Sequence, residues 1–198
     1  NYKLRYRQSQ AKFWASSYED KRPELTDAQR KMLSHYDNAT LYNDSIVAQI
    51  VKRFQKQDAI VIYVPDHGEE CYEENRGFIC RNHSAEIDWP LAHYEFEIPF
   101  WIYCSPKYIR NHRDIYRQIR KAKDKRFMTD ALPHLLLYLA GIETPTYKEE
   151  YNILSPKYDE MRPRILKNSA DYDKLRDAHL EKIKKEESKK VKKKERRN

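Results

Sequence analysis

Ala59-Ile60-Val61-Ile62-Tyr63-Val64, closed by Pro65 and followed by Asp66-His67-Gly68-Glu69, decides how this chain is read. The run is short, continuous and β-branched, which predicts a strand buried on both faces, as in a parallel sheet covered by helices. Proline ends the strand. In open α/β sheets ligands gather beyond the carboxyl ends of the strands. An aspartate and a histidine in that position offer two good zinc-ligand atoms. Gly68 lets the backbone turn sharply enough for neighbouring side chains to converge on one ion. Glu69 and Glu70 are candidates to orient the imidazole from behind. An Asp-His pair also arises by chance, so its position at a strand tip carries more weight than its composition.

On the amino-terminal side, residues 1–25 are aromatic and basic without a clean period, an irregular segment pinned by rings. Thr26 followed by Gln29 is a capping box that predicts a helix start. Leu41, Tyr42, Ile46, Ile50, Val51 and Phe54 recur at three- and four-residue spacing, predicting a second helix over about 38–57. On the other side a polar loop runs from Asp66 to about His93. A second strand is predicted from Ile98 to Cys104, and an amphipathic helix from Tyr108 to Lys123. A core helix is predicted over about 130–140, with Thr129 as N-cap, Pro133 in its first turn and Gly141 as C-cap. A Pro- and Tyr-rich stretch follows, and from Ala170 a polar helix runs into a basic tail. The order of elements indicates an α/β layer architecture. Two strands are too few for an independent sheet with both faces covered.

The net charge of +8 resides almost wholly after Lys182. That tail is either a solvated helix end or a contact for anionic lipid or nucleic acid. With 3 glycines, and neither GxGxxG nor GxxxxGK[ST], a phosphate-cradling loop is excluded. There is no GxSxG elbow and no CxxC pair. Cys71 and Cys80 flank one polar loop and form either a disulfide or two thiols according to compartment. No apolar run approaches the roughly 20 residues of a membrane span. His83, sixteen residues after His67, either returns to the site or is an ordinary loop histidine. His134 reads as a satisfied core histidine, and His35 as exposed or packing. His93, His112 and His179 are weaker candidates, and no residue stands out as a nucleophile.

Five blocks resemble a known family in order and spacing: YDNATLYNDSIVAQI (36–50), IVIYVPDHGEE (60–70), IPFWIYCSPKY (98–108), TDALPHLLLYLAGIETP (129–145) and YNILSPKYDEMRPRIL (151–166). Over about Tyr2 to Leu166 the chain looks like the C-terminal part of the catalytic domain of phosphoethanolamine transferases, in the sulfatase and alkaline-phosphatase-like superfamily. The resemblance implies part of an alkaline-phosphatase-like three-layer sandwich with a mostly parallel sheet, incomplete here, over residues 1–168. Residues 169–198 form a charged helical or disordered tail without a counterpart in the family.

The resemblance further implies zinc as cofactor, with Asp66 and His67 as adjacent ligands and His83 contacting the phosphoryl group or a second zinc. It implies a threonine nucleophile and further ligands that would precede Asn1, so that the chain alone would be inactive. The implied reaction moves phosphoethanolamine from a phospholipid to a lipopolysaccharide-type acceptor. The implied location is the periplasmic face of the inner membrane, with the anchor outside this chain, the missing N-terminal part as partner, and no nucleic acid. A sulfatase or phosphodiesterase of the same superfamily is the first alternative. A basic, non-catalytic binding module is the second.

Overall fold

The computed structural model describes residues 1–80 and 86–195; the side chains of residues 75, 78–80 and 191–195 lie outside the description. In chain order the elements are α1 (Asp27–Phe54), β1 (Ile60–Tyr63), β2 (Glu70–Cys71), β3 (Phe78–Cys80), α2 (Trp89–Phe96), β4 (Trp101–Cys104), α3 (Pro106–Asn111), α4 (Arg113–Ala122), α5 (Leu132–Ala140), β5 (Ile165–Leu166), β6 (Ala170–Asp171) and α6 (Tyr172–Glu195). The chain divides into two units. One comprises residues 1–63, 71–80 and 101–111, and the other residues 64–70, 81–100 and 112–198.

In the first unit the Thr26–Gln29 capping box forms as predicted, with the Thr26 hydroxyl accepting from the Gln29 N–H at 3.3 Å and the Thr26 N–H donating to Gln29 Oε1 at 2.8 Å. The two helices expected from 26 and 38 are a single 28-residue helix. Nothing between them breaks the ladder, and Asn38, read as a helix start, is an interior residue with a tertiary task. Its Oδ1 accepts from the N–H groups of Lys12 (2.7 Å) and Phe13 (3.1 Å), and its Nδ2 donates to the Phe13 carbonyl (2.8 Å). The aromatic N-terminal segment is thereby laid along α1 in short 3₁₀ turns. Tyr18 donates to Asp37, and Tyr6 pairs with His35 Nδ1 at 2.9 Å. Tyr18, Leu25, Leu33, Cys71 and Tyr72 form the unit's core.

β1 pairs with β4 in antiparallel register, Ile60 opposite Cys104 through Tyr63 opposite Trp101. Both predicted strands therefore form, but β1 is half-buried rather than covered on both faces. A run of apolar residues reports affinity for a covered surface and says nothing of the direction of the neighbour that supplies it. Ser105, fully buried, ties the ribbon to its flanks. Its hydroxyl donates to the Gln57 carbonyl at 2.6 Å and accepts from the Tyr108 N–H at 3.1 Å. The single helix expected over 108–123 is two, α3 and α4, separated at His112, whose φ of −125° and ψ of 51° are not helical.

In the second unit α2 is a helix that the polar-loop reading passed over. Asp88 caps it, accepting from the Leu91 N–H at 3.0 Å, and Pro90 occupies its first turn. Leu91 and Ala92 pack with Ile87, Leu166 and Tyr172, the first residue of α6, in this unit's core. Thr129 starts a 3₁₀ turn and makes no side-chain cap, while Gly141 ends α5 in the left-handed region at φ 66° as expected. α5 buries Leu135 but leaves Leu136 45% exposed, so it is apolar all round without being enclosed. Asp173 receives the guanidinium groups of Arg126, Arg164 and Arg176. The hydrogen bond from Arg164 and the surrounding positive charge hold its carboxyl below the usual range.

Tyr172 fastens α6 to α2 by donating to Glu97, and burial together with that bond pushes its phenol up to about 12. The unfolded chain ionises this group near 10, so its contribution is complete below pH 10 and vanishes as pH rises to 12. Arg164 and Arg176 nearby favour the phenolate and oppose the shift. Alkaline titration of the wild type, followed by near-ultraviolet circular dichroism, is expected to lose about 1–2 kcal/mol over that window after allowance for solvent screening. Tyr172→Phe is expected to lack that transition.

Candidate metal centre

Three residues beyond β1 the backbone turns at Asp66-His67-Gly68, and α2 dictates where. The Gly68 N–H donates to the Glu95 carbonyl at 2.8 Å, near the C-terminal end of α2. A Cβ on Gly68 would stand 2.2 Å from the Tyr94 carbonyl oxygen, so only glycine permits this approach. The glycine was read as a freedom to turn, whereas the observed requirement is the close approach of one backbone to another.

The His67 ring is oriented by the same residue. Nδ1 lies 2.7 Å from the Gly68 carbonyl oxygen, which only accepts, so Nδ1 carries the proton of that bond. Nε2 faces Asp66 Oδ2 at 3.5 Å. A tetrahedral zinc with bonds of about 2.0–2.1 Å separates neighbouring ligand atoms by about 3.3–3.4 Å. The two donors are thus spaced as zinc ligands are, and a carbonyl holding the far side of the ring is the usual supporting contact. The His67 side chain is 20% exposed and that of Asp66 84%, so the pair opens outward on the carboxylate side. One hydrogen bond on the ring is to the Gly68 carbonyl, and Glu70, expected with Glu69 to orient the ring, is fully buried in β2.

Among the described residues no group of three or more His, Cys, Asp or Glu comes together to hold a metal. Asp66 and His67 stand side by side there as two donors. His83 lies outside the described residues, as does the side chain of Cys80, and with it any pairing to Cys71. Cys104 is buried, which raises its thiol pKa. His134 accepts from the Lys148 N–H at 3.1 Å, satisfied as expected but half-buried rather than in the core. His93 pairs with Glu97 at 2.9 Å and stacks on Trp89, whose ring also carries His179 at 5.3 Å. The contributors missed from sequence are the Tyr94 and Glu95 carbonyls; Asp88-Trp89-Pro90, a cap followed by a first-turn proline, was the available signal for the helix that presents them.

Comparison with known proteins identifies the family. The sulfatase family model matches residues 7–142. The phosphoethanolamine transferase EptC of Escherichia coli O18:K1:H7 (strain RS218 / NMEC) is 31% identical over 162 residues, which is 80% of this chain and 26% of that protein. The Kdo(2)-lipid A phosphoethanolamine 7''-transferase of Escherichia coli K12 is 30% identical over 99 residues, 48% of this chain and 16% of that protein. The crystal structure of the C-terminal periplasmic domain of EcEptC from Escherichia coli, in complex with Zn, superposes with a TM-score of 0.69 at 27% identity, over 88% of this chain and 49% of that one. The chain spans about a quarter of the curated relative that it matches over the greatest length and about half of the solved domain. The fold is accordingly the expected alkaline-phosphatase-like α/β type with an incomplete sheet. The family match covers well over half of the sequence and runs through the strand and turn that bear Asp66 and His67, and on that ground the chain belongs to the sulfatase family, with phosphoethanolamine transferases among its relatives.

Proposed function

We propose that this chain is the zinc-binding C-terminal segment of a phosphoethanolamine transferase, comprising residues 1–168, with residues 169–198 an extension of its own. The observation that carries the reading is the pairing of His67 Nε2 with Asp66 Oδ2 at 3.5 Å, with Nδ1 committed to the Gly68 carbonyl. Zinc bound there would supply Lewis-acid stabilisation of a transferring phosphoryl group and a lowered pKa for an attacking hydroxyl. Asp66 contributes an anionic oxygen and His67 a neutral, pre-oriented nitrogen. His83 is proposed to contact the transferred group. No residue of the chain is assigned as nucleophile. The donor is a phospholipid, the acceptor a lipopolysaccharide-type glycolipid, and the working location the periplasmic face of the inner membrane. The support is the naming of relatives as phosphoethanolamine transferases, one of them acting on Kdo(2)-lipid A.

Zinc affinity of the chain, measured by competition with a chromophoric chelator, is expected to fall at least about a hundredfold in His67→Ala and about ten- to a hundredfold in Asp66→Ala. Retention of wild-type affinity in both variants would overturn the reading. In a protein that also carries the rest of the domain, the same variants should lose transfer of phosphoethanolamine to lipid A.

A further inference from the structure

Between Lys182 and Asn198 there are ten Lys and Arg residues against three Glu, which accounts for seven of the chain's eight net positive charges. The rest of the molecule is nearly neutral in sum, so the distal part of α6 holds most of the net positive charge. α6 is rooted in a core through Tyr172, yet every residue from 181 to 190 is exposed. Lys182, Lys185 and Lys189 recur at three- and four-residue spacing and so share one face of the helix. The ion pair seen on that face, Lys185 with Glu181 at 3.4 Å, is solvent-exposed on both sides and neutralises little.

We infer that the distal half of α6 is an electrostatic docking face for an anionic bilayer, and that it holds the domain against a lipid surface. The choice of a bilayer over a nucleic acid rests on the proposed phospholipid donor and on an independent feature of the segment. Beyond Tyr172 it contains no Tyr, Trp or Phe on which a base could stack. Lysines held near an anionic membrane attract additively, and the attraction decays within a Debye length.

The test is sedimentation of the whole chain with vesicles of phosphatidylcholine alone and of phosphatidylcholine with phosphatidylglycerol in equal parts. Binding is expected only to the anionic vesicles, and it should collapse when salt is raised from about 0.1 M to about 1 M. The triple variant Lys182→Gln, Lys185→Gln, Lys189→Gln should bind about a hundredfold more weakly. Equal binding by the triple variant, binding to phosphatidylcholine alone, no binding at all, or displacement from the anionic vesicles by an equal charge of single-stranded DNA would each overturn the inference. The vesicles contain no phosphatidylethanolamine and the assay needs no turnover. Failure of the transferase reading, seen in zinc binding and transfer, is therefore read separately.

Discussion

Asn38→Ala is expected to destabilise the unit built on α1 by about 3 kcal/mol, measured by urea unfolding with tyrosine fluorescence as the probe. Asn38 is 3% exposed and makes three hydrogen bonds to the backbone of Lys12 and Phe13. Alanine leaves two N–H donors and one carbonyl without that partner beneath the N-terminal segment, each at a cost of about 1–3 kcal/mol if water is kept out. Lys12 is itself exposed, so part of the loss is recovered by hydration. Asn38→Asp separates the contributions: it keeps an acceptor for the two donors but sets a carboxylate oxygen against the Phe13 carbonyl, and an intermediate loss is expected. Ser34→Ala is a fitting control on the same helix. Ser34 is equally buried but donates only to the Lys31 carbonyl one turn back, at 2.8 Å, and its removal should cost less than about 1 kcal/mol.

Gly68→Ala is expected to cost about 3 kcal/mol and to weaken zinc binding at least about tenfold. The added methyl would meet the Tyr94 carbonyl oxygen at 2.2 Å, the Tyr94 carbonyl carbon at 3.2 Å and the Glu95 Cα at 3.4 Å. All three are backbone atoms, so no rotamer change relieves the overlap. Either α2 or the Asp66-His67 turn must shift, and the 2.8 Å bond from Gly68 to Glu95 is stretched with it. The other two glycines make the comparison informative. A Cβ on Gly77 or Gly141 meets nothing within 4 Å, but their φ values of +90° and +66° disfavour any side chain. Alanine there should cost about 1 kcal/mol through conformation alone and leave zinc affinity unchanged. Equal effects at all three positions would show that contact with α2 is not what requires glycine at position 68.

These two residues also mark how far reading along the chain reaches. The strand at Ile60–Tyr63, the Thr26–Gln29 capping box, the Gly141 stop and the Asp66-His67 pair were all legible, because each is set by residues within a few positions of one another. The helix at Trp89–Phe96 was legible in principle from Asp88 and Pro90 but lay inside a stretch whose polarity suggested a loop. The helix start assigned to Asn38 was a misreading of a residue type that favours caps and also serves buried backbone.

Local sequence established a strand followed by two residues of metal-ligand type, and the family that such a strand, with four further blocks, resembles; that the strand is only half-buried came from the structure. The reason Gly68 must be glycine, the partner of Asn38 and the antiparallel course of β4 beside β1 came from the folded arrangement. In each case the atoms that decide are distant along the chain: the Tyr94 carbonyl is 26 residues from Gly68, and Phe13 is 25 from Asn38. A propensity or a period reports what a residue prefers among its neighbours in sequence. Steric exclusion and a buried hydrogen bond depend on what packing brings alongside. So it is with the Asp66-His67 turn: its residue types are readable along the chain, and its geometry belongs to α2.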